Sequence, residues 1–212
     1  MFSKFRELDP AKQSRILNAA LREFAQKGFD DASTIEIAKE AGISKGLLFH
    51  YFNTKKDLFR YLYDYSMETL SNEVFGLINF KERDMLKRAR QIILLKIELL
   101  HKYPQMFDFI KVAVFTESEE VKGEFLSKSM EIRSGGLARL FEDIDESKFR
   151  PGIDVARAKN IIIWTLEGIG NASQEEAKEW TPDQVDQIDY DQVLAEYDAY
   201  FDLFRACFYG GA

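Results

Sequence analysis

Apolar residues recur along most of the chain at the three- and four-residue intervals typical of amphipathic helices. The first clear stripe extends from Ile16 to Phe24 and is followed by a glycine, Gly28. Asp9 and Pro10, which suit an N-cap and a first helical position, precede this stripe. The pattern therefore predicts a helix that begins at Pro10 and ends at Gly28.

Two short helices are predicted next, over about 34–41 and 45–51, with a glycine between them. Ser33 and Glu36 have the spacing of a capping box, in which each side chain accepts a hydrogen bond from the other residue's backbone amide. Ser44 is placed to cap the second helix. Three helices with this spacing form a small N-terminal head.

The rest of the chain is also predicted to be helical, because strand signals are scarce and helical spacing continues. Further helices are expected at about 55–77, 83–102, 105–116, 119–143, 154–172 and 190–208. Residues 173–189 form a polar connection. The predicted fold is all-α, with about nine helices: a three-helix head on a larger C-terminal helical bundle.

Composition excludes several classes of protein. The chain has 212 residues, of which 46% are hydrophobic, so it can bury a core. A single cysteine, Cys207, rules out a disulfide framework, and His50 and His101 are too far apart for a local metal motif. We therefore expect no metal and no cofactor. No apolar run is long enough for a bilayer and no secretory signal is present, so we expect a cytoplasmic protein without a membrane partner.

Charge is distributed unevenly along the chain. The net charge is −7, yet residues 1–60 contain eleven Lys and Arg against eight Asp and Glu. The remainder consequently carries a net charge of −10. Such asymmetry suits a head that faces a polyanion on an acidic body, although chance variation of surface charge is an equal alternative.

The two short helices have the spacing of a helix-turn-helix. Ile37, Ala38 and Ala41 are predicted to point inward from the first helix, while Leu48 and Phe52 anchor the second. An ordinary helical hairpin has similar features, so spacing alone favours DNA binding without deciding it.

These residues resemble the TetR (tetracycline-repressor-like) family of transcription regulators. The resemblance is carried by IAKEAGISKGLLFHYFNTKKDLF over 37–59 and by ILNAALREFAQKGF over 16–29. It covers about residues 10–60. The rest of the chain fits the family only in its helical pattern and its length. The resemblance implies a head, residues 1–54, that binds DNA, and a body, residues 55–212, that binds ligand and dimerises.

The resemblance also implies which residues of the head contact DNA. The expected contacts are Ser33, Thr34, Ser44, Lys45, Gly46, Leu47, Phe49, His50, Tyr51 and Lys55. Lys45, Gly46 and Leu47 would begin the recognition helix and face base edges in the major groove. Thr34 and Lys55 lie at helix starts, where amides and the helix dipole attract phosphates.

Three positions depart from the family pattern. Leu47 stands where threonine is common and Phe49 where tyrosine is common, so two hydroxyls that could bind phosphate are missing. Phe49 could equally be core. Ile35 occupies a usually polar position, which leaves either an apolar base contact or simple packing.

The last two long helices are expected to form a four-helix interface in a homodimer, as in the family. Small residues in 154–172 permit close helix contact, and an apolar stripe marks 190–208 at Leu194, Tyr197, Phe201, Phe204, Cys207 and Phe208. Purely intramolecular packing of these helices is the alternative. Family members of this size also enclose an effector pocket. Its candidate lining residues, each of which could instead be core, are Met106, Phe107, Ile110, Phe115, Met130, Trp164 and Gly168.

The sequence thus predicts a DNA-binding transcriptional regulator, in particular a repressor that binds a palindromic operator as a homodimer and is released by an unidentified small-molecule effector. A protein of the same fold that binds DNA or recruits a partner without ligand control is the alternative. A helical enzyme is disfavoured, because no nucleophile elbow, phosphate loop, metal-ligand cluster or catalytic carboxylate pair is present. We therefore expect no catalytic residues.

Overall fold

The computed structural model describes residues 2–176 and 189–210, and in these ranges the regular structure is helical. The α-helices are α1 (Ser3–Arg6), α2 (Pro10–Asp31), α3 (Thr34–Glu40), α4 (Lys45–Phe52), α5 (Lys55–Leu77), α6 (Met85–Lys102), α7 (Pro104–Phe115), α8 (Glu124–Leu140), α9 (Val155–Glu176) and α10 (Tyr190–Phe208). A 3₁₀ turn covers Glu146–Lys148. The all-α prediction is confirmed.

Local signals account for most helix ends. Asp9 caps α2, because its carboxylate accepts hydrogen bonds from the amides of Ala11 and Lys12 at 3.0 and 3.2 Å. Gly28 has a φ of 72° and breaks the helical path as predicted, but one more turn follows and α2 ends at Asp31. The positive φ of 73° at Gly123 delays the start of α8, which the sequence placed near residue 119.

The chain folds into two compact units. The first contains the residues up to Leu77 together with Glu98–Leu140. Its core is an aromatic cluster contributed by four helices: Phe59 of α5 lies 4.9 Å from Phe24 of α2, 4.9 Å from Phe109 of α7 and 5.3 Å from Phe125 of α8, measured between ring centroids. The three-helix head therefore shares one hydrophobic core with α7 and α8.

In the same unit, α5 runs parallel to α8 and to the residues just before α8, and polar contacts join the two at regular intervals. Three polar contacts join residues that are 64 positions apart: Lys56 donates to the carbonyl of Glu120, Arg60 pairs with Glu124, and Lys128 pairs with Asp64. The Arg60 guanidinium uses Nε and Nη2 on the two carboxylate oxygens of Glu124, at 2.6 and 2.8 Å. We call these three contacts the α5–α8 ladder.

The second unit contains Ile78–Ile97 and the described residues from Phe141 onward. Arg88 of α6 is fully buried, and its guanidinium donates to the backbone carbonyls of Phe80, Glu82 and Glu142 at 2.8 to 2.9 Å. A buried guanidinium is stabilised only when its donors are satisfied, so these bonds hold the loop before α6 against the chain that follows α8.

Two features lay outside the sequence-based expectation. Helix α1 was not predicted, since four residues are too few to show a helical period. The polar connection expected over 173–189 starts later, because α9 continues to Glu176, and residues 177–188 lie outside the described ranges. Within the described ranges, no helix combines the length and hydropathy of a bilayer-spanning segment.

Candidate nucleic-acid interface

The helix-turn-helix is formed by α3, a turn at Gly42, and α4. Gly42 has a φ of 68°, a backbone conformation that glycine adopts without strain. The amide of Ile43 donates to the carbonyl of Ala38 at 2.9 Å and closes the turn. Ile37, Ala38 and Ala41 are buried, as the sequence predicted.

The start of α3 corrects one sequence-based interpretation. The hydroxyl of Ser33 accepts a hydrogen bond from the amide of Glu36 at 3.3 Å, as a capping box requires. The reciprocal bond is absent, because the amide of Ser33 donates instead to Glu23 of α2 at 2.8 Å. Glu36 pairs with Lys39. Half of the predicted box therefore forms, and a residue from another helix completes it.

Glu23 is a buried acid that fixes α3 to α2. Burial acts to raise the pKa of its carboxyl, but hydrogen bonds from Lys27 and from the amide of Ser33 outweigh burial and hold the pKa below its usual value. Glu23 therefore remains charged at the N-terminus of α3, where a negative charge is also favoured by the helix dipole.

Helix α4, which the resemblance predicts to be the recognition helix, exposes its first turn. The hydroxyl of Ser44 accepts from the amide of Leu47 at 3.2 Å, so the helix starts at Lys45 as predicted. Lys45 and Gly46 are exposed, and a Cβ on Gly46 would meet no atom within 4 Å. The backbone at Gly46 is consequently open to close approach by another molecule.

The remaining candidate side chains of α4 differ in exposure. His50 is exposed, while Leu47 and Phe49 are half-buried. The Nζ of Lys45 lies 5.8 Å from the centroid of the Phe49 ring, so the two side chains share the same face. Tyr51 is only 8% exposed, so only a small part of its surface is accessible to another molecule. Leu48 and Phe52 are buried anchors, as predicted.

Helix α3 offers two candidates at its start. Thr34 is half-buried, and Ile35 is 56% exposed. The exposure of Ile35 excludes simple packing within the described part of the chain. It leaves an apolar side chain on the helix-turn-helix that is available for a base or sugar contact.

Lys55 begins α5, directly after the head, and its side chain already contacts the end of α2. Its Nζ donates to the carbonyl of Asp30 at 2.9 Å and lies 5.1 Å from the centroid of the Phe29 ring. The carboxylate of Asp30 accepts a hydrogen bond from the hydroxyl of Ser118 at 2.7 Å. An ammonium group has three donors, so the contact with Asp30 leaves Lys55 able to bind a phosphate as well.

The candidate effector residues are distributed over both units. Met106, Phe107, Ile110 and Phe115 lie on α7, and Met130 lies on α8, all in the first unit. Met106 is buried; Phe107, Ile110 and Phe115 are half-buried; Met130 is 55% exposed. Trp164 and Gly168 lie on α9 in the second unit, and both are exposed.

Sequence reasoning missed Glu23 and the contribution of α1 to the head. The aromatic rings of Phe2 and Phe5 pack against Phe52 of α4 at 5.7 and 4.7 Å. The signal was limited to two phenylalanines three residues apart at the start of the chain, and such a short pattern occurs often by chance.

Comparison with known proteins agrees with this geometry. The family model described as "Bacterial regulatory proteins, tetR family" matches residues 16–62, which contain α3, the turn and α4. The fatty acid metabolism regulator protein of Bacillus subtilis is 26% identical over 163 residues, covering 74% of this chain and 80% of that protein. The family match, which covers the helix-turn-helix, and the name of this relative support a DNA-binding transcriptional regulator of the TetR type.

Solved structures of TetR-family regulators share the fold. A regulator from Mesorhizobium loti has a TM-score of 0.67 at 19% identity, covering 94% of this chain and 98% of that one. FadR of Bacillus subtilis in complex with stearoyl-CoA has a TM-score of 0.56 at 19% identity, covering 90% and 96%. At this identity the likeness establishes the fold and leaves the effector open.

Proposed function

We propose that this TetR-family regulator is a homodimeric repressor that binds a palindromic operator and is released by a small-molecule effector. The observation that carries the DNA-binding assignment is the exposed first turn of α4, with Lys45 beside an open Gly46, inside the segment that matches the family. We propose that the functions divide at residue 54: residues 1–54 bind DNA, and residues 55–212 bind the effector and form the dimer.

In this proposal Lys45 reads a base edge, because an exposed ammonium at the start of a recognition helix can donate to guanine O6 or N7. Gly46 allows the helix to lie close to the bases, and Leu47 or Ile35 can pack on a thymine methyl group. Ser33, Thr34, Ser44 and Lys55 lie at helix starts and suit phosphate contacts. His50, Phe49 and Tyr51 would contribute along the edge of the groove.

The deciding experiment compares Lys45→Ala with the wild type on an operator selected by the wild-type protein from a random duplex library. Fluorescence anisotropy against this operator and its single-base variants should show a loss of about 1–3 kcal/mol per half-site and a relaxed preference at one base position. If Lys45→Ala lowers affinity for all sequences alike, Lys45 binds the DNA backbone instead.

The exposed surface of α9 and α10 supports the homodimer. Ile161, Trp164 and Gly168 follow one another along one face of α9, and all are exposed. Leu203 of α10 is exposed as well. Exposed apolar side chains that follow one another along one helix face, rather than singly, are typical of an interface. A dimer also brings two heads to two half-sites, which one head cannot do.

Because Trp164 and Met130 are exposed, they suit an interface between subunits better than the lining of a pocket. We therefore place the effector beside α7, at Met106, Phe107, Ile110 and Phe115. Helix α7 packs directly on α2 and α5. A ligand that displaces α7 would act on the head and on α5 at once. It shifts the equilibrium between the operator-bound and released arrangements only if it binds these two arrangements with different affinity.

We propose that the effector carries a long acyl chain, since the names of two similar proteins point to fatty acid regulation and to stearoyl-CoA. The apolar side chains on α7 suit such a chain. Stearoyl-CoA added to the operator complex should lower affinity about 5- to 150-fold, the range of a coupling of about 1–3 kcal/mol, whereas coenzyme A without an acyl chain should not. No release by stearoyl-CoA would contradict the acyl-chain proposal and leave the DNA-binding assignment in place.

A further inference from the structure

The N-terminal segment, residues 2–12, is fastened to the end of the recognition helix. Phe5 is fully buried, and its ring centroid lies 4.7 Å from Phe52, 5.3 Å from Tyr61 and 6.1 Å from Tyr51. Phe2 adds contacts with Phe52 at 5.7 Å and with Tyr61 at 5.2 Å. These rings connect α1 to α4 and α5, so α1 is part of the folded head rather than a loose extension.

Polar contacts fix the turn between α1 and α2. The side-chain amide of Gln13 donates to the carbonyls of Arg6 and Leu8 at 3.1 and 2.8 Å. The carboxylate of Asp9 is occupied by the first amides of α2. The backbone from Phe5 to Lys12 is therefore held in place at both ends, and the side chains on it have defined positions relative to α4.

Two lysines of this segment present unpaired charge. The Nζ of Lys12 lies 5.9 Å from the centroid of the Tyr51 ring, directly beside the recognition helix. Lys4 is exposed on α1. In the described part of the chain neither ammonium group forms an ion pair, whereas Lys27, Lys39 and Arg60 of the same unit are each paired with a carboxylate.

We propose that the N-terminal segment is a second DNA-binding surface, in which Lys12 and Lys4 bind backbone phosphates that flank the bases read by α4. This inference rests on the proposed binding of DNA by the head. Because the backbone that carries these lysines is already ordered beside α4, binding a phosphate requires ordering of the lysine side chains only, so little backbone entropy is lost. The contact carries no sequence information, and it adds affinity and fixes the register of α4 on the duplex.

The test compares Lys12→Ala and Lys4→Ala with Lys87→Ala, which removes one exposed lysine from the second unit. Affinities for the selected operator and for a scrambled duplex are measured by anisotropy at several salt concentrations. For Lys12→Ala and Lys4→Ala the slope of log K against log salt should fall by about 0.9 per phosphate contact, roughly 1.8 for a dimer. Affinity should fall by the same factor for both duplexes, and Lys87→Ala should match the wild type.

Lys12→Met distinguishes a phosphate contact from simple packing on Tyr51, because it keeps an aliphatic side chain and removes the charge. It should show the lowered salt slope of Lys12→Ala, whereas Lys12→Arg should retain the wild-type slope, and thermal unfolding of every variant should match the wild type. If the wild type binds operator but Lys12→Ala and Lys4→Ala keep its slope, the second surface is refuted and the helix-turn-helix assignment stands. If the wild type binds no duplex at all, the proposed function itself fails.

Discussion

Lys55 has two roles, one observed and one proposed, that follow from its place at the start of α5. Its ammonium group caps the last turn of α2 through the carbonyl of Asp30, and it is also proposed to bind a phosphate. A cation near the C-terminal carbonyls of a helix is favourable, and a cation at a helix start suits a phosphate. In this proposal the same charge stabilises both the fold and the DNA complex.

Lys55→Ala should weaken binding about equally for all sequences and lower the log–log salt slope by about 0.9 per contact, roughly 1.8 for a dimer. It should also lower the free energy of unfolding by about 1 kcal/mol, since one hydrogen bond to Asp30 is lost. Salt-dependent anisotropy and urea unfolding measure the two effects. Lys55→Arg keeps the charge and is the control; a sequence-dependent loss in Lys55→Ala would contradict a phosphate contact.

Asp84 shows how one buried acid organises the second unit. Its carboxylate accepts hydrogen bonds from the amides of Leu86 and Lys87 at 3.0 and 3.2 Å and from the hydroxyl of Tyr209 at 3.1 Å. Burial acts to raise the pKa of Asp84, but these bonds and the charge of Lys148 outweigh burial and hold the pKa below its usual value. Burial raises the pKa of the Tyr209 phenol, so that group stays protonated and donates.

The pKa of Asp84 predicts a pH dependence of stability. Because the pKa is lower in the folded state, the charged carboxylate stabilises the protein above its ordinary pKa, and this contribution is lost as pH falls through the lowered value. Asp84→Asn should therefore cost about 1–3 kcal/mol of unfolding free energy at pH 7 and less near pH 3. Urea unfolding at both pH values measures the difference; an equal cost at both would show that charge is not involved.

At the scale of elements, the α5–α8 ladder joins the helix that carries Lys55 to the segment that follows α7. Its strongest contact is the two-pronged pair between Arg60 and Glu124, in which both side chains are partly exposed. The Glu124 carboxylate holds the pKa of Arg60 above its usual value, and Arg60 lowers the pKa of Glu124. In the proposed mechanism, a movement of α7 and α8 would reach α5 through the ladder.

A double-mutant cycle of Arg60→Ala and Glu124→Ala should give a coupling of about 0.5–1 kcal/mol in stability, because solvent screens a pair that is partly exposed. We also expect Arg60→Ala to change operator affinity through the position of α5. Arg90→Ala is the matched control: Arg90 forms a similar two-pronged pair with Asp198 in the second unit and should leave DNA affinity unchanged. Equal effects of the two variants on DNA affinity would argue against transmission through the ladder.

At the scale of the whole molecule, the predicted homodimer depends on one face of α9. Gly168 lies one turn beyond Trp164 on this face, and a Cβ on Gly168 would meet no atom within 4 Å. Gly168→Arg should therefore fold normally as a single chain. In a dimer the same substitution places a long charged side chain between closely packed helices, which is strongly unfavourable.

Sedimentation velocity at micromolar concentration should show a dimer for the wild type and for Gly168→Ala, and a monomer for Gly168→Arg. Thermal unfolding of the isolated variant checks that the chain itself remains folded. A monomeric wild type at this concentration would exclude the proposed interface. DNA binding would then have to be measured for the monomer, which carries one helix α4.

The sequence by itself determined the helices and the chemistry at their ends. Asp9, Ser33, Ser44 and Thr54 each accept a hydrogen bond from an amide in the first turn of the helix they precede. Such bonds involve residues two or three positions apart, so they can be read from the chain alone. The helix-turn-helix and its exposed Lys45 follow from the same local pattern, and this is why most of the candidate site was predictable.

Tertiary structure decided which residues meet across the fold. Glu23 took the place expected for Glu36, because α2 brings its carboxylate to the start of α3. On α10 the predicted interface residues Phe201 and Phe204 are buried within their own chain, while Leu203 is exposed. Helical spacing reveals an apolar stripe, but only the neighbouring helices determine whether that stripe faces the core or the outside. The docking of α1 and the α5–α8 ladder join residues far apart in sequence, and no local rule specifies such pairs.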